Sequence, residues 1–280
     1  MKILLTALFC LCLSLPVFAD QQTTVLTEQT TVGKASASLP FIDGSNDTVS
    51  EKQANALIRT AASRLIKEVG GQGSVSYKVL LNRPSLVALQ LEAANGGRKA
   101  YAGLNIDLTT GKEFGVTDFF VDNDSVRAAL GAYDNVLFGE QGLYLRGEKG
   151  GEYKTLVPYR EVVGSMRIGE AGRLLQLAKV TANAAGKTVT LPDSGLLALK
   201  LDSNPSTGYG WELSCVSPAV SKVGSSFTIP SSNDTRVGVP GVEILVLTVT
   251  QPGTYQVRMD YKRSWEKLSL QSFSFTVVAK

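Results

Sequence analysis

The chain has 280 residues, of which 44% are hydrophobic and 19% charged, so its length suits two ordinary domains with packed cores. It contains no histidine, which excludes serine-histidine-aspartate and cysteine-histidine catalysis and most zinc sites. The net charge of +3 gives no electrostatic reason to expect nucleic acid or an anionic membrane as a partner. We therefore predict no nucleic-acid partner, no metal and no cofactor.

Residues 1–19 have the pattern of a bacterial signal peptide. Lys2 is followed by an apolar run that ends near Val17, and Ala19 suits signal peptidase. Pro16 interrupts this run, which is shorter than the roughly 20 residues that a spanning helix needs. We expect an exported, periplasmic or secreted protein that begins at Asp20 and has no membrane span after signal cleavage.

Cleavage at this point removes two of the three cysteines, Cys10 and Cys12, and leaves Cys215. No intrachain disulfide is then possible. Cys215 falls on a predicted strand, where we interpret it as a small buried hydrophobic residue and not as a reactive thiol.

The first part of the mature chain predicts a leader and an α+β domain. Residues 20–37 are rich in Thr, Gln and Ser and have few large apolar side chains, so we predict a flexible leader. Within the α+β domain, 38–180, apolar residues recur at helical spacing over 50–69, and a second helix is predicted at about 125–137. Turn signals delimit the predicted strands, which are 74–82, 86–93, 100–108, 142–146 and 154–163.

One stretch of this domain resembles a known family. Residues 105–112 read Asn-Ile-Asp-Leu-Thr-Thr-Gly-Lys and lead to Asp118, Phe119 and Phe120. This pattern is similar to the extracellular domain of lysozyme-binding anti-sigma factors and of some secreted peptidoglycan deacetylases. The resemblance implies a domain that binds a second protein and does not catalyse. The residues alone allow a simpler interpretation, in which Thr-Gly-Lys turns a hairpin and the phenylalanines fill a core.

After a polar linker at 181–187, helical periodicity gives way to strict alternation. Tyr255, Val257, Met259 and Tyr261 alternate with polar residues, as expected of antiparallel strands with one buried face. About seven such strands fit between residue 186 and the end of the chain. Their size and spacing predict an all-β immunoglobulin-like sandwich, the second of two domains.

Three long loops follow the second, fourth and sixth predicted strands of this sandwich. They span 202–210, 230–241 and 262–268. Because successive antiparallel strands alternate in direction, these three loops are predicted to emerge at the same end and to form one surface.

The three loops carry motifs in order. The first reads Asn204-Pro205-Ser206-Thr207-Gly208-Tyr209 and is followed by Trp211, the second contains Val237-Gly238-Val239-Pro240-Gly241, and the third reads Tyr261-Lys262-Arg263-Ser264-Trp265-Glu266. Together they resemble the loops of the chagasin family of cysteine protease inhibitors, over about 186–280. Ser264 is a departure, because the family usually has proline there. Loss of that proline is expected to soften the third loop.

The resemblance implies an inhibitor of papain-like cysteine proteases that is not an enzyme. The first loop would lie over the catalytic cysteine while the other two clasp the cleft from either side. Trp211 is interpreted separately as a core residue. The residues predicted to contact the protease are Asn204, Pro205, Ser206, Thr207, Gly208, Tyr209, Gly238, Val239, Pro240, Gly241, Arg263 and Trp265.

Two other functions stay open at this point. The first is an envelope-associated adhesive module that binds glycan or protein through the same loops without inhibitory activity. The second is a hydrolase based on carboxylates or a serine-lysine pair, although no catalytic motif in the sequence supports it.

Overall fold

The structure is a computed structural model that describes residues 24–44, 47–175, 177–191, 195–214, 217–229 and 239–279. Within these ranges the chain forms five α-helices and seventeen strands in four sheets. The N-terminal part combines sheets with helices, and the C-terminal part is built from strands, as predicted. None of the helices in these ranges is both long and apolar enough to cross a membrane. The predicted signal peptide, Cys215 and Gly238 lie outside the described residues.

In the N-terminal part, a long helix packs against one face of a six-stranded sheet. Helix α1, Thr48–Glu68, confirms the predicted first helix and packs its apolar face on the sheet. Asp47 caps the helix by accepting hydrogen bonds from the backbone N–H groups of Val49 and Ser50. In sheet order the strands are β1 Thr24–Val32, β2 Ala35–Asp43, β3 Ser74–Arg83, β4 Leu86–Asn95, β5 Arg98–Asp107 and β6 Lys112–Glu113.

The predicted flexible leader is wrong for residues 24–37, which belong to the β1–β2 hairpin. Ala35 and Ala37 are fully buried in the core under α1, and Val25 and Val32 pack at its edge. The apolar side chains of this hairpin are small and sparse, so its composition is that of a disordered segment. Helix α1 packs over β2 and buries its small apolar side chains, and this contact cannot be predicted from the composition of the hairpin.

A second core lies on the opposite face of the six-stranded sheet. It is covered by a three-stranded antiparallel sheet, β7–β8–β9, and by four short helices. These elements are α2 Val116–Phe119, α3 Asp124–Leu130, β7 Val136–Phe138, β8 Gly142–Arg146, β9 Tyr153–Pro158, α4 Tyr159–Val162 and α5 Ile168–Leu174.

Two predicted elements of this region end earlier than expected. Helix α3 stops at Leu130 because Gly131 adopts a positive φ of 66°. Residues 136 and 137, predicted as the end of this helix, belong to strand β7. The strand predicted over 154–163 ends at Pro158, whose φ of −59° suits the entry to α4.

The C-terminal part consists of two four-stranded sheets packed face to face. One sheet has the order β10-β12-β15-β14 and the other the order β11-β17-β16-β13. Leu199 and Leu245 of the first sheet meet Met259 and Phe275 of the second in a shared core. The strands are β10 Ala178–Val180, β11 Thr188–Thr190, β12 Leu196–Ser203, β13 Tyr209–Leu213, β14 Val220–Thr228, β15 Gly241–Val249, β16 Gly253–Arg263 and β17 Gln271–Ala279.

The predicted boundary between the two parts falls too late in the chain. Strand β10 precedes the predicted linker, yet it pairs in parallel with β12, with Ala178 opposite Leu197. The linker itself is hydrogen-bonded to β17, since Gly186 N–H donates to the carbonyl of Ser274 at 2.8 Å. A three-residue strand is too short to show alternation, which is why the sequence assigned β10 to the first domain.

The N-terminal part covers the outer face of one C-terminal sheet. Leu196 of β12 and Val246 of β15 are fully buried in the same core cluster as Leu174 of α5. Gly224 of β14 lies so near that a Cβ atom there would stand 2.7 Å from the Ile168 side chain. The two parts therefore share buried surface.

Strand β10 should contribute measurably to the stability of the C-terminal part. A fragment 177–280 keeps β10, whereas a fragment 186–280 loses it together with the buried side chain of Val180. Burial of one valine contributes about 1.5 to 3 kcal/mol, and about 1 kcal/mol shifts the Tm of such a domain by roughly 4 to 8 °C. Thermal unfolding followed by circular dichroism should place the longer fragment about 6 °C or more above the shorter one. Equal melting temperatures would show that β10 is dispensable.

Candidate functional site

The strand ends that three loops connect lie at one end of the paired C-terminal sheets. The first loop, 204–208, joins β12 to β13, the second, 229–240, joins β14 to β15, and the third, 264–270, joins β16 to β17. Strand pairing fixes their common position, because the end of β12 lies opposite the start of β15 and the end of β16 lies opposite the start of β13. The prediction that the loops share one end is confirmed.

The first loop is a hydrogen-bonded turn. Pro205, Ser206 and Thr207 form one turn of 3-10 helix. The Thr207 backbone N–H and its hydroxyl donate to the carbonyl of Asn204 at 3.1 and 2.6 Å, and the Ser206 hydroxyl donates to Asn204 Oδ1 at 2.6 Å. All three turn residues are exposed, so the loop presents a compact tip whose polar groups are largely satisfied within it.

Gly208 ends this turn for two physical reasons. Its φ of +80° is left-handed, where a side chain is strained. A Cβ atom at this position would also stand 3.1 Å from Cη2 of Trp265. Glycine therefore permits the indole of the third loop to lie against the first loop.

Arg263 joins the first and third loops. Its Nε donates to the carbonyl of Thr207 at 3.1 Å, and its Nη1 donates to Oε1 of Glu266 at 3.1 Å. The guanidinium carbon lies 4.6 Å from the centre of the Tyr209 ring and 6.0 Å from that of Trp265. Within this structure Arg263 holds other site residues in place, a role that the sequence did not predict.

The base of the first loop is anchored on core aromatic rings. The hydroxyl of Tyr261, a buried residue of β16, accepts a hydrogen bond from the Asn204 backbone N–H at 2.9 Å. The Tyr261 ring lies 5.5 Å from that of Tyr209 and 5.0 Å from that of Trp211. The position of the first loop is therefore set by its contacts with core residues.

The two tryptophans have opposite environments. Trp211 is 6% exposed, and its Nε1–H donates to the carbonyl of Asp202 at 2.9 Å, which confirms that it is a core residue. Trp265 is 71% exposed at the tip of the third loop, with Leu268 and Leu270 also exposed beside it in sequence. An apolar surface of this kind is unusual unless another molecule covers it.

Ser264 stands where proline was expected, at the second position of a turn. The turn is closed by a hydrogen bond from Glu266 N–H to the carbonyl of Arg263 at 3.0 Å. Proline is favoured at that position because it presets the required φ. The turn therefore forms with serine in place of proline.

The second loop is described only at its ends. Val239 is half-buried and Pro240 is exposed, whereas Gly241 is buried at the start of β15. A Cβ atom on Gly241 would stand 2.5 Å from the Phe227 ring. Glycine at 241 is thus required by the packing of Phe227, although the sequence suggested a contact with a partner.

A cleft of about 290 Å³ opens beside the first loop, between edge strands β13 and β14 of the two sheets. Glu243 is on its floor, and its walls are formed by Pro205, Tyr209, Gly210, Ser225, Ser226 and Phe227. The cleft was not predicted from the sequence. The available signal was an acidic residue at an inward position of the apolar strand β15.

Comparison with known proteins identifies the family. A family model described as Chagasin family peptidase inhibitor I42 matches residues 190–277. Over 106 residues the chain is 33% identical to chagasin from Trypanosoma cruzi, an alignment covering 36% of this chain and 96% of chagasin. The chain belongs to the chagasin family. Members of this family are protease inhibitors and not enzymes, so this chain is not an enzyme, as predicted.

Two further proteins are similar to part of this chain. Amoebiasin-2 from Entamoeba histolytica is 27% identical over 95 residues, which cover 33% of this chain and 77% of that protein. The crystal structure of the cysteine protease inhibitor EhICP2 from the same organism aligns with 25% identity and a TM-score of 0.33, covering 37% of this chain and 96% of that one. The residues matched by the chagasin-family model, 190–277, include all three loops.

The motif of the N-terminal part has a structural explanation. Asn105 Nδ2 donates to the carbonyl of Val136 at 3.0 Å, and its Oδ1 accepts from the Phe138 N–H at 2.9 Å, which fastens β7 beside β5. Phe119 and Phe120 are fully buried. The interpretation in which the phenylalanines fill a core is confirmed, while the resemblance to lysozyme-binding domains stays a prediction.

The contrast between the tryptophans predicts opposite effects on stability. Trp211→Ala should lower the free energy of unfolding by about 3 to 5 kcal/mol, because it empties a large buried site. Trp265→Ala should change it by no more than about 0.5 kcal/mol, because the side chain is exposed. Urea denaturation of the two variants provides the comparison. A large loss in Trp265→Ala would assign that residue to the core.

Proposed function

We propose that this chain inhibits papain-like cysteine proteases by placing its three loops in the active-site cleft. The observation that carries the proposal is the joined surface of the first and third loops, in which Arg263 connects Thr207 to exposed Trp265. This surface lies within the region that matches an inhibitor family.

The conformation of the first loop suits blockage without cleavage. Proteases of this class bind substrates as extended chains, whereas residues 205–207 form a 3-10 turn. The carbonyl of Thr207 is already hydrogen-bonded to Arg263, and its side chain is short enough for close approach to a catalytic centre. The tip therefore fills the cleft without offering an extended peptide bond.

The energetics favour tight binding. Hydrogen bonds within the first loop and the contacts of Arg263 fix the surface before binding, so little conformational entropy is lost. Trp265 supplies a large apolar side chain that association would remove from water. Aromatic anchors of this kind commonly dominate the energy of an interface.

We propose export with cleavage after Ala19, an immunoglobulin-like inhibitor domain formed by the two C-terminal sheets, and a separate N-terminal domain that binds a second protein. The support for export is the pattern of residues 1–19, and the support for the sandwich is its two facing sheets.

Titration of the mature chain, beginning at Asp20, against active papain tests the function directly. We expect stoichiometric and reversible loss of protease activity while the inhibitor stays uncleaved. Absence of inhibition at micromolar concentrations of a folded chain would contradict the proposal and favour the adhesive alternative.

Thr207→Arg should abolish inhibition without unfolding the protein, because a long charged side chain at the exposed tip would prevent close approach to the catalytic centre. Circular dichroism and papain titration should be measured on the same sample. Thr254→Arg is the matched control, since Thr254 is exposed at the opposite end of β16. If Thr207→Arg keeps full potency, the first loop does not enter the cleft.

Trp265→Ala should weaken inhibition by roughly 30-fold to 1000-fold, which corresponds to the loss of about 2 to 4 kcal/mol at an aromatic anchor. Leu26→Ala, which truncates an exposed apolar side chain on β1, should leave the inhibition constant unchanged. Inhibition constants for both variants against papain check this. An effect below threefold for Trp265→Ala would remove it from the interface.

A further inference from the structure

A buried carboxylate lies at the end of the sandwich that carries the loops. Glu243 occupies an inward position of β15, is 8% exposed, and forms the floor of the cleft beside the first loop. Its Oε2 accepts a hydrogen bond from the Ser203 hydroxyl at 3.1 Å and a longer one from the Trp211 N–H at 3.4 Å. One carboxylate oxygen therefore takes both internal donors.

No cation within the described residues balances this carboxylate. The basic side chains of β16, a strand of the facing sheet, are paired elsewhere, Arg258 with Asp260, Lys262 with Glu212, and Arg263 with Glu266. The lysines of the two strands beside β15, Lys200 and Lys222, are exposed. A buried carboxylate without a counter-charge is costly, because hydrogen bonds from neutral donors replace its hydration only in part. Among the described residues, Glu243 is thus a buried carboxylate without a positive partner.

The cleft beside Glu243 has a lining that suits a basic side chain. Its walls include the aromatic rings of Tyr209 and Phe227, and the Phe227 ring is held against Gly241. Lysine and arginine bury their aliphatic stems against such surfaces and place the charged group on a carboxylate. A neutral or acidic side chain would leave the carboxylate uncompensated.

We propose that this cleft receives a lysine or arginine side chain of the target protease when the loops engage it. The identity of the partner rests on the proposed inhibitory function, whereas the preference for a basic group rests on Glu243 alone. The cleft then selects among papain-like proteases for those that carry a basic side chain beside the active-site groove.

The first experiment tests the cleft without a protease. N-acetyl-arginine amide and its neutral isostere N-acetyl-citrulline amide are titrated into the mature chain, with the Trp211 indole resonance followed by NMR. We expect the arginine probe to bind at least tenfold more tightly, and Glu243→Gln to remove the difference. Equal binding of the two probes, or an unchanged preference in Glu243→Gln, would overturn the proposal.

Two variants control for charge and folding. Glu212→Gln removes the same charge from an exposed carboxylate on β13 and should keep the preference for the arginine probe. Ser225→Lys places a cation at the exposed edge of the cleft without altering Glu243, and should block the probe if Glu243→Gln fails to fold. Full binding to a folded Ser225→Lys variant would also overturn the proposal.

The second experiment measures inhibition of a panel of papain-like proteases by the wild-type chain, Glu243→Gln and Glu212→Gln. Glu243→Gln should lose tenfold or more against at least one protease that the wild type inhibits, while Glu212→Gln stays within twofold. Identical potency across the panel would overturn the role in selectivity even though inhibition itself is intact. A wild type that inhibits no protease would instead defeat the proposed function, and the probe titration would still decide whether the cleft binds cations.

Discussion

The hydrogen bond from Arg263 to the carbonyl of Thr207 is the contact on which the loop surface depends. The first loop crosses from one sheet to the other, whereas the third is a hairpin within the second sheet. Without a link the two loops would move independently, and the entropy of fixing them would oppose binding. One guanidinium supplies the link at 3.1 Å and also lies 4.6 Å from the Tyr209 ring centre. Lysine could not provide both contacts, since it lacks the planar fork.

Rigidity reaches the surface through a continuous series of ring contacts. Trp211 in the core lies 5.0 Å from Tyr261, which lies 5.5 Å from Tyr209, which in turn faces Arg263. The series ends at Trp265 on the exposed tip. Each member has a packed neighbour on the core side, so the tip is positioned by the same interactions that stabilise the sandwich. Exposed and core aromatic residues are therefore adjacent but distinct, as the contrast between Trp211 and Trp265 shows.

The sequence predicted features whose physical cause is local. Alternation identified the inward side chains of β16 and β17, and strand direction placed three loops at one end. Prediction from the sequence failed where a segment is buried by residues that are distant in the chain. The β1–β2 hairpin has the composition of a leader until α1 covers it, and β10 is too short for any pattern. Arg263 was expected to face a partner, but its contacts to Thr207 and Glu266 depend on the relative placement of two loops. Likewise, that no cation of the described residues pairs with Glu243 emerges only when the cations of the facing sheet are located.

Strand β14 connects the N-terminal part to the candidate site. Gly224 packs against Ile168 of α5, and the next three residues, 225–227, line the cleft over Glu243. A displacement of α5 would therefore first move Phe227, which lines the cleft, and the second loop that follows β14. Such a displacement would affect the third loop less, because that loop connects β16 and β17 of the other sheet. The N-terminal part thus packs against the strand that lines the cleft and not against the loop that carries Trp265.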